Sequence, residues 1–370
     1  MVRGSMDDLA AALLRTHPEL ETVRQAALEP VYVVGGAIRD LLLGGPRTDL
    51  DLVVVGDATA LAERLGGAGA EHARFGTVKV EVEGHEVDIA TARTETYPKP
   101  GALPVVAPAA GIEEDLGRRD FTINALAIPL AGEPRLIDPY GGRADLDQRL
   151  LRVLHDRSFE DDPTRAIRAA RYAARFGFQL EPGTEALLRK TDLTTVSADR
   201  RRAELERLAA EEGARGGLEL LAHWGLIHLR NDGLALLAAV DELLENPHWA
   251  DFVPRERALV AAALGPPGAE EMLASMWAPR PGEGVELAER RDPVELILAR
   301  AMGADWLDRY LIIWRRVKLE IDGGDLIAAG IEQGPAIGRG LRAARLKKLE
   351  GEIGGRAEEL AAALAAALRD

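Results

Sequence analysis

The chain has 370 residues, no cysteine, 46 basic and 61 acidic side chains, and a formal net charge of -15. At roughly 150 residues per domain this length allows two or three domains, and the lack of cysteine excludes disulfides, thiolate zinc sites, iron–sulfur clusters and cysteine nucleophiles together. Without disulfides the cytoplasm is the expected location; no apolar run reaches the ~18 residues of a membrane-spanning helix, and the global charge argues at first against a nucleic-acid partner, since phosphate binding needs lysine and arginine.

In chain order, Met1–Ser5 (MVRGS) reads as an expression-vector remnant before a natural start at Met6. Segments 8–15, 37–43 and 57–65 have helical spacing, and 31–34 (VYVV) and 50–55 (LDLVVV) read as β-branched strands. A strand pair is expected at 77–83 and 85–90, with Gly84-His85 at its turn. After Gly141-Gly142 the character changes. From 158 to 300 almost nothing reads as strand, and helix stops stand at Gly177, Pro182-Gly183, Gly216-Gly217, Pro247 and Gly265-Pro266-Pro267. The stretch 275–292 reads as a linker or long loop, and 356–369 as an Ala-rich amphipathic helix. The expected fold is an α/β head with a small mixed sheet followed by an all-α remainder, an elongated multidomain chain. Its expected division is a head at 1–140, a helical neck at 141–208, a helical body at 209–275 and a helical tail at 276–370.

The sharpest local feature is Gly35-Gly36-Ala37-Ile38-Arg39-Asp40, with Asp49-Leu50-Asp51 following in the next strand. Glycine at both positions lets backbone approach a ligand, and the N–H groups that open the following helix suit a phosphate. Arg39, one turn into that helix, can add a charged contact. Asp49 and Asp51 leave the same face of a strand. Two carboxylates without nearby cations repel, and a divalent ion relieves the repulsion; oxygen-only ligands favour Mg²⁺. Phosphate cradle plus metal pair points to nucleotide chemistry. Taken singly, each half has a plainer reading, a solvated strand end and an ordinary turn. Asp88, set between Val87 and Ile89, is a candidate third carboxylate or else a strand-end ion pair with Arg93.

This arrangement resembles the nucleotidyltransferase head, polymerase-β-like in fold, of the class II tRNA CCA-adding enzymes and the bacterial poly(A) polymerases. The likeness continues in order along the chain. Arg118-Arg119-Asp120-Phe121-Thr122-Ile123-Asn124-Ala125 is similar to the family's triphosphate and ribose motif, and Asp138-Pro139-Tyr140-Gly141-Gly142 to its hinge. Asp161-Asp162-Pro163-Thr164-Arg165 is similar to its base-reading segment, and Ser197-Ala198-Asp199-Arg200 with Glu204 to its fifth motif, with Asp199 where the family usually has Glu. Gly324-Asp325-Leu326, Gly330, Gly334-Pro335 and Gly338 resemble a tail pattern of many bacterial members.

The resemblance implies attack of a tRNA 3′-hydroxyl on the α-phosphate of CTP or ATP, with CCA addition the leading outcome. Addition of CC only or A only, poly(A) synthesis, and an idle RNA-binding scaffold are the alternatives. Asp49 and Asp51 would hold Mg²⁺, with Asp88 completing the catalytic set. Gly35, Gly36, Arg39 and Arg119 would position the triphosphate, and Asp120 and Asn124 the loop or ribose. Asp162 and Arg165, at i and i+3, would choose the base. Cytosine and adenine present an exocyclic amine beside a ring-nitrogen acceptor, and a carboxylate beside a guanidinium matches that pattern while mismatching uracil and guanine. The plainer readings make Asp162 a helix N-cap before Pro163, Asp120 the cap of a helix at 121–128, and Arg200–Glu204 a helix ion pair. Arg165, Arg168, Arg171 and Arg175, with no acid between Asp162 and Glu181, suggest polyanion contact; Arg168 and Arg171 are assigned to the nucleotide. His155-Asp156 lacks the further ligands of a metal phosphohydrolase, and the five tryptophans read as core anchors. The charge also divides. Residues 151–230 carry 14 basic and 13 acidic groups, and 338–348 carries five basic and none acidic, namely Arg339, Arg342, Arg345, Lys347 and Lys348. These five are the candidate contacts for a tRNA acceptor arm.

Overall fold

The computed structural model describes residues 6–45, 49–67, 77–133, 135–211, 213–265, 268, 272–274 and 279–368. Met1–Ser5, His72, Pro266-Pro267 and Trp277 lie outside the described residues. Two compact units divide the chain, Met1–Leu226 and Ile227–Asp370. Among the described residues no helix is long and apolar enough to cross a membrane.

The first unit opens with α1 (Met6–Thr16) and α2 (Glu19–Ala26), then alternates β1 (Val31–Val34), α3 (Gly36–Leu43), β2 (Leu50–Val54) and α4 (Ala58–Arg64). There follow β3 (Thr77–Val82), β4 (His85–Thr91), β5 (Arg93–Thr96), β6 (Val105–Pro108), α5 (Ile112–Gly117) and β7 (Ala127–Pro129). The mixed sheet has the order β3-β4-β2-β1-β7, with β2 parallel to β4 and the other pairs antiparallel. Leu50, Leu52 and Val54 turn one face of β2 into the main core, while Val53 turns the other into a small cluster with Val34, Ala92, Ile112, Leu116, Ala125 and Ala127. The two-residue side-chain period of a strand therefore puts Asp51 on the small-cluster side, away from the main core.

The rest of this unit is α6 (Gly142–Gln148), α7 (Ser158–Asp161), α8 (Thr164–Phe176), α9 (Pro182–Leu188), α10 (Ala198–Ala209) and α11 (Ala214–His223), with two-residue strands β8 (Leu150–Leu151) and β9 (Gln179–Leu180). Head and neck share one core. Ala166, Ala169 and Tyr172 of α8 join Leu52, Phe121 and Ile123, and the Phe121 and Tyr172 rings meet edge to face at 5.9 Å. The hinge motif explains that continuity. Asp138 accepts the Gly142 and Arg143 N–H groups at 2.7 and 2.9 Å, and a Cβ on Gly142 would lie 2.1 Å from the Thr122 carbonyl oxygen.

Several expectations need correction. The hairpin turn is at Glu83-Gly84, both with positive φ, one residue earlier than expected. Segment 121–128 is a 3₁₀ turn (Thr122–Asn124) running into β7, not a helix, because its backbone pairs with β1. Segment 93–108, to which the sequence reading assigned no element, holds the β5–β6 hairpin. Residues 281–288, inside the expected linker, form a helix with proline at its first turn.

The second unit is helical: α12 (Gly233–Leu243), α13 (Pro247–Ala250), α14 (Arg255–Leu264), α15 (Pro281–Ala288), α16 (Pro293–Ala301), α17 (Trp306–Ile312), α18 (Gly323–Ala328), α19 (Pro335–Leu349) and α20 (Arg356–Ala367). Trp249, Trp306 and Trp314 are buried anchors, as expected. In the first unit Trp224 packs, half-buried, against the main core. Gly340 lets α19 approach α20 closely, since a Cβ there would sit 2.6 Å from the Ala363 carbonyl oxygen.

Candidate active site

The carboxylates are set by sheet register. Asp51 on β2 lies directly opposite Asp88 on the parallel neighbour β4, and Asp49 immediately precedes β2. Displacement of water by the surrounding protein, then the neighbouring Asp88 and Asp49 carboxylates, push the Asp51 carboxyl above its ordinary range against the pull of Arg119 and Arg39. Asp88 Oδ1 is buried without a hydrogen-bond partner. Its cation is Lys79, 3.6 Å away on the antiparallel neighbour, and not Arg93, which pairs with Glu95. This all-oxygen donor set suits a hard divalent ion, and Asp88 Oδ1, without a hydrogen bond and with the Lys79 ammonium 3.6 Å away, keeps a lone pair for it. Among the described residues no group of three or more His, Cys, Asp or Glu side chains converges as a self-contained metal cluster, so phosphate oxygens would have to complete the coordination.

A cavity of about 900 Å³ opens beside these acids. Every candidate of the head and neck lines it: Gly35, Gly36, Arg39, Asp49, Asp51, Asp88, Arg119, Asp120, Asn124, Asp162, Arg165, Arg168 and Arg171. Gly35 has φ +66, and a Cβ there would meet Arg119 Nη1 at 2.8 Å. Only glycine therefore allows that strand-to-helix turn beside the arginine.

Arg39 is almost wholly buried. Its Nε donates to Asp40 Oδ1 and its Nη1 to Asn124 Oδ1, both at 2.7 Å, and its plane lies against Tyr172 and Phe176. The arginine expected to touch phosphate is thus also a structural clasp between α3 and the 122–124 turn. Asp120 accepts from the Phe121 N–H and Asn124 Nδ2. Burial alone would raise its carboxyl, yet Arg168, Asn124 and Arg165 hold it below the usual carboxylate range.

The neck arginines are not an unpaired track. Arg168 reaches Asp120 and Asp162, Arg171 reaches Glu211, and Arg175 reaches Asp40 and Glu211. Apart from Asp162, six residues before Arg168, their acids come from elements distant in sequence, which explains why local charge counting missed them. Even so, Arg119 and Arg165 each keep a buried Nε–H without a hydrogen-bond partner, while those of Arg168 and Arg171 face Asp120 and Glu211 at 3.5 Å; all four residues line the cavity. The Arg119 and Arg165 donors are open to an anionic or polar ligand.

Asp162 does cap, accepting the Thr164 N–H at 3.1 Å and the Thr164 hydroxyl at 2.6 Å on Oδ1. Its Oδ2 accepts only Arg168 Nη2, at 3.2 Å, and so has a lone-pair direction to spare. Arg165 donates through Nη1 to the Ser158 hydroxyl and through Nη2 to the Arg118 carbonyl, both at 2.7 Å. The Arg200–Glu204 ion pair does not form. Arg200 reaches Asp162, and Glu204 pairs with Arg207.

Residues that sequence reasoning missed include Asp115 of α5. It is fully buried and accepts from both Arg118 and Arg119. Its spacing of three and four residues ahead of two arginines was the available signal. Tyr97, which also lines the cavity, donates to Glu95; burial and that carboxylate push its phenol up to about 12.

The poly A polymerase head domain family matches residues 31–152. Over 325 residues the chain is 37% identical to a CC-adding tRNA nucleotidyltransferase of Deinococcus radiodurans, spanning 84% of this chain and 82% of that protein. The chain belongs to the class II tRNA nucleotidyltransferase family. It is also 44% identical over 194 residues to an A-adding tRNA nucleotidyltransferase of Halalkalibacterium halodurans, spanning 49% of this chain and 45% of that protein. It spans still smaller shares, 27% and 20%, of two further A-adding relatives. In fold it is similar to a Thermotoga maritima CCA-adding enzyme complexed with tRNA, with a TM-score of 0.68 at 28% identity over 96% of this chain and 98% of that one. That family's mixed-sheet head and helical remainder are the architecture described above.

The five tail cations belong to the second unit, and the structure corrects the isolated charge expected for them. Arg342 pairs with Glu286, Arg345 with Glu289, Lys347 with Glu352 and Lys348 with the buried Glu359. Arg345 also donates to the Val317 carbonyl. Arg339, Arg342 and Lys347 keep exposed side chains.

Proposed function

We propose that this chain adds nucleotides from CTP and ATP to the 3′ end of tRNA without a nucleic-acid template, completing CCA and releasing pyrophosphate. One observation carries the reading above the others. The in-register Asp51–Asp88 pair and Asp49 share a single cavity with the buried Arg119 and Arg165 Nε–H donors, which have no hydrogen-bond partner. Acids for a metal and donors for a triphosphate are what nucleotidyl transfer requires, and a scaffold has use for neither.

In this reading the 3′-hydroxyl loses its proton to solvent as its oxygen bonds to the α-phosphorus, and the bond from that phosphorus to the bridging oxygen breaks with its electron pair leaving on pyrophosphate. Asp49 and Asp51 would hold Mg²⁺, with Asp88 beside them. When bound, such an ion lowers the hydroxyl pKa and neutralises the leaving phosphates. Arg119, Arg168 and Arg171 donate to phosphate oxygens, while Gly35 and Gly36 let the backbone approach them. Asn124 and Asp120 hold the 122–124 turn against Arg39 and Arg168. Asp162 Oδ2 offers the acceptor for an exocyclic amine and Arg165 Nε–H the donor for the ring nitrogen, which suits cytosine and adenine. Arg339, Arg342 and Lys347 suit contact with the acceptor arm, whereas Arg345 and Lys348 brace the tail. The reaction belongs to the cytoplasm.

A second reading, addition of CC only or of A only, is favoured by the CC-adding and A-adding relatives. Incorporation on tRNA lacking its 3′ end, with CTP alone, ATP alone and both together, separates these outcomes. CTP alone should give plus CC, and both should give plus CCA. A product stopping at CC with both nucleotides supports the CC-adding reading, and addition of A only to tRNA already ending in CC the A-adding one. Long A tails or no product would refute tRNA end completion.

A further inference from the structure

We propose that Arg200 is a positioning residue for base selection, in which one guanidinium ties the loop of the β5–β6 hairpin to the Asp162 carboxylate. The inference rests on the reading of Asp162 as part of the base reader. Arg200 Nη1 donates to the Gly101 carbonyl at 2.7 Å and Nη2 to Asp162 Oδ1 at 3.1 Å. These residues are 99 and 38 positions away in sequence, so no local helix role explains the pair of bonds.

Both ends of the bridge are fixed. Gly101 has φ +69, and a Cβ there would lie 2.6 Å from the Thr195 carbonyl oxygen, so only glycine seats the loop this closely on the 3₁₀ turn ahead of α10. The Gly101 N–H donates to the Glu160 carbonyl at 3.2 Å on α7. The same loop carries Tyr97 and Pro104 into the cavity wall. At the other end, Arg200 and Thr164 together saturate Asp162 Oδ1, which leaves Oδ2 as the oxygen with spare capacity. The χ2 torsion of an aspartate is broad and nearly two-fold. Without the bridge Oδ1 keeps only the Thr164 donors, and within its broad χ2 well the carboxylate plane swings, so that Oδ2 presents its acceptor over a wider range of directions. A planar, bidentate guanidinium spans two acceptors in a fixed geometry, which a lysine ammonium does not.

The test is kcat/KM for CTP, ATP, UTP and GTP on tRNA lacking its 3′ end. The proteins are the full chain and its Arg200→Ala, Arg200→Lys, Gly101→Ala, Arg200→Ala/Gly101→Ala and Asp162→Ala variants, each verified as folded by its thermal transition. Arg200→Ala should lower discrimination of CTP and ATP over UTP and GTP by about tenfold, the worth of one charge-assisted hydrogen bond. Arg200→Lys should restore less than half of that loss on a logarithmic scale. Gly101→Ala should lower discrimination in the parent and add little once Arg200 is gone, the non-additivity expected of partners in one network. Equal loss of rate for all four nucleotides, full rescue by lysine, or strict additivity would each overturn the bridge. Asp162→Ala separates the two levels of argument. If it leaves discrimination unchanged, the base-reader assignment fails and takes the bridge with it. If it relaxes discrimination while Arg200→Ala does not, only the bridge fails.

Discussion

Asp115 offers the most quantitative test of how the site is held. Its carboxylate is fully buried and accepts Arg118 Nε and Nη2 at 2.9 and 2.8 Å, Arg119 Nη2 at 3.0 Å and the Arg93 N–H at 3.2 Å. Burial by itself would raise the carboxyl, yet Arg119 and Arg118 hold it below the usual range. Removing one member of a buried ion pair costs about 3–5 kcal/mol. The Arg118 and Arg119 side chains retain 17% and 16% exposure and keep some hydration, which puts Asp115→Ala at the low end, ~3 kcal/mol, or more than a hundredfold in the opening constant. Asp115→Asn keeps one acceptor but sets an amide N–H₂ against a guanidinium, at a cost of about 2 kcal/mol. Hydrogen exchange of the slowest amides in β1 and β2 reports this opening. The pH dependence carries a sign. A lowered folded pKa gives stability that is present above the unfolded value, ~3.9, and that is lost as pH falls through the lower folded value. The deficit of Asp115→Asn should therefore be full near neutrality and shrink below about pH 4. A deficit under about 1 kcal/mol, or one that stays constant into acid, would refute the view of Asp115 as the anchor of both arginines.

Three further outcomes are expected. Asp51→Ala should abolish nucleotide incorporation while tRNA binding, measured by filter retention, survives; retained incorporation would remove Asp51 from the catalytic set. Gly142→Ala should destabilise the first unit by at least ~1–3 kcal/mol despite the better helix propensity of alanine, because its Cβ would fall 2.1 Å from the Thr122 carbonyl oxygen; a neutral or stabilising result in urea would contradict that contact. Lys348→Ala should destabilise the second unit through the buried Glu359 but change tRNA affinity less than Arg342→Ala, and the reverse order in a salt-dependent binding titration would return Lys348 to the RNA-contacting set.

The amino-acid pattern alone marks the strands at 31–34 and 50–54, the Gly35-Gly36 turn and the ordered motifs, because alternation, glycine pairs and capping residues act over a few neighbours. It also named thirteen residues that share one cavity. It could not determine their partners. Asp88 found Lys79 across a strand pair, Arg200 found Asp162 and Gly101, and the neck and tail arginines found acids on other segments. Charge is counted along a chain but neutralised through space, over a few ångströms set by packing. For the same reason segment 121–128 became a sheet edge, since only the tertiary fold brought β1 alongside to pair with it. Tertiary structure alone decided which arginine donors were already used and which remain open to a nucleotide.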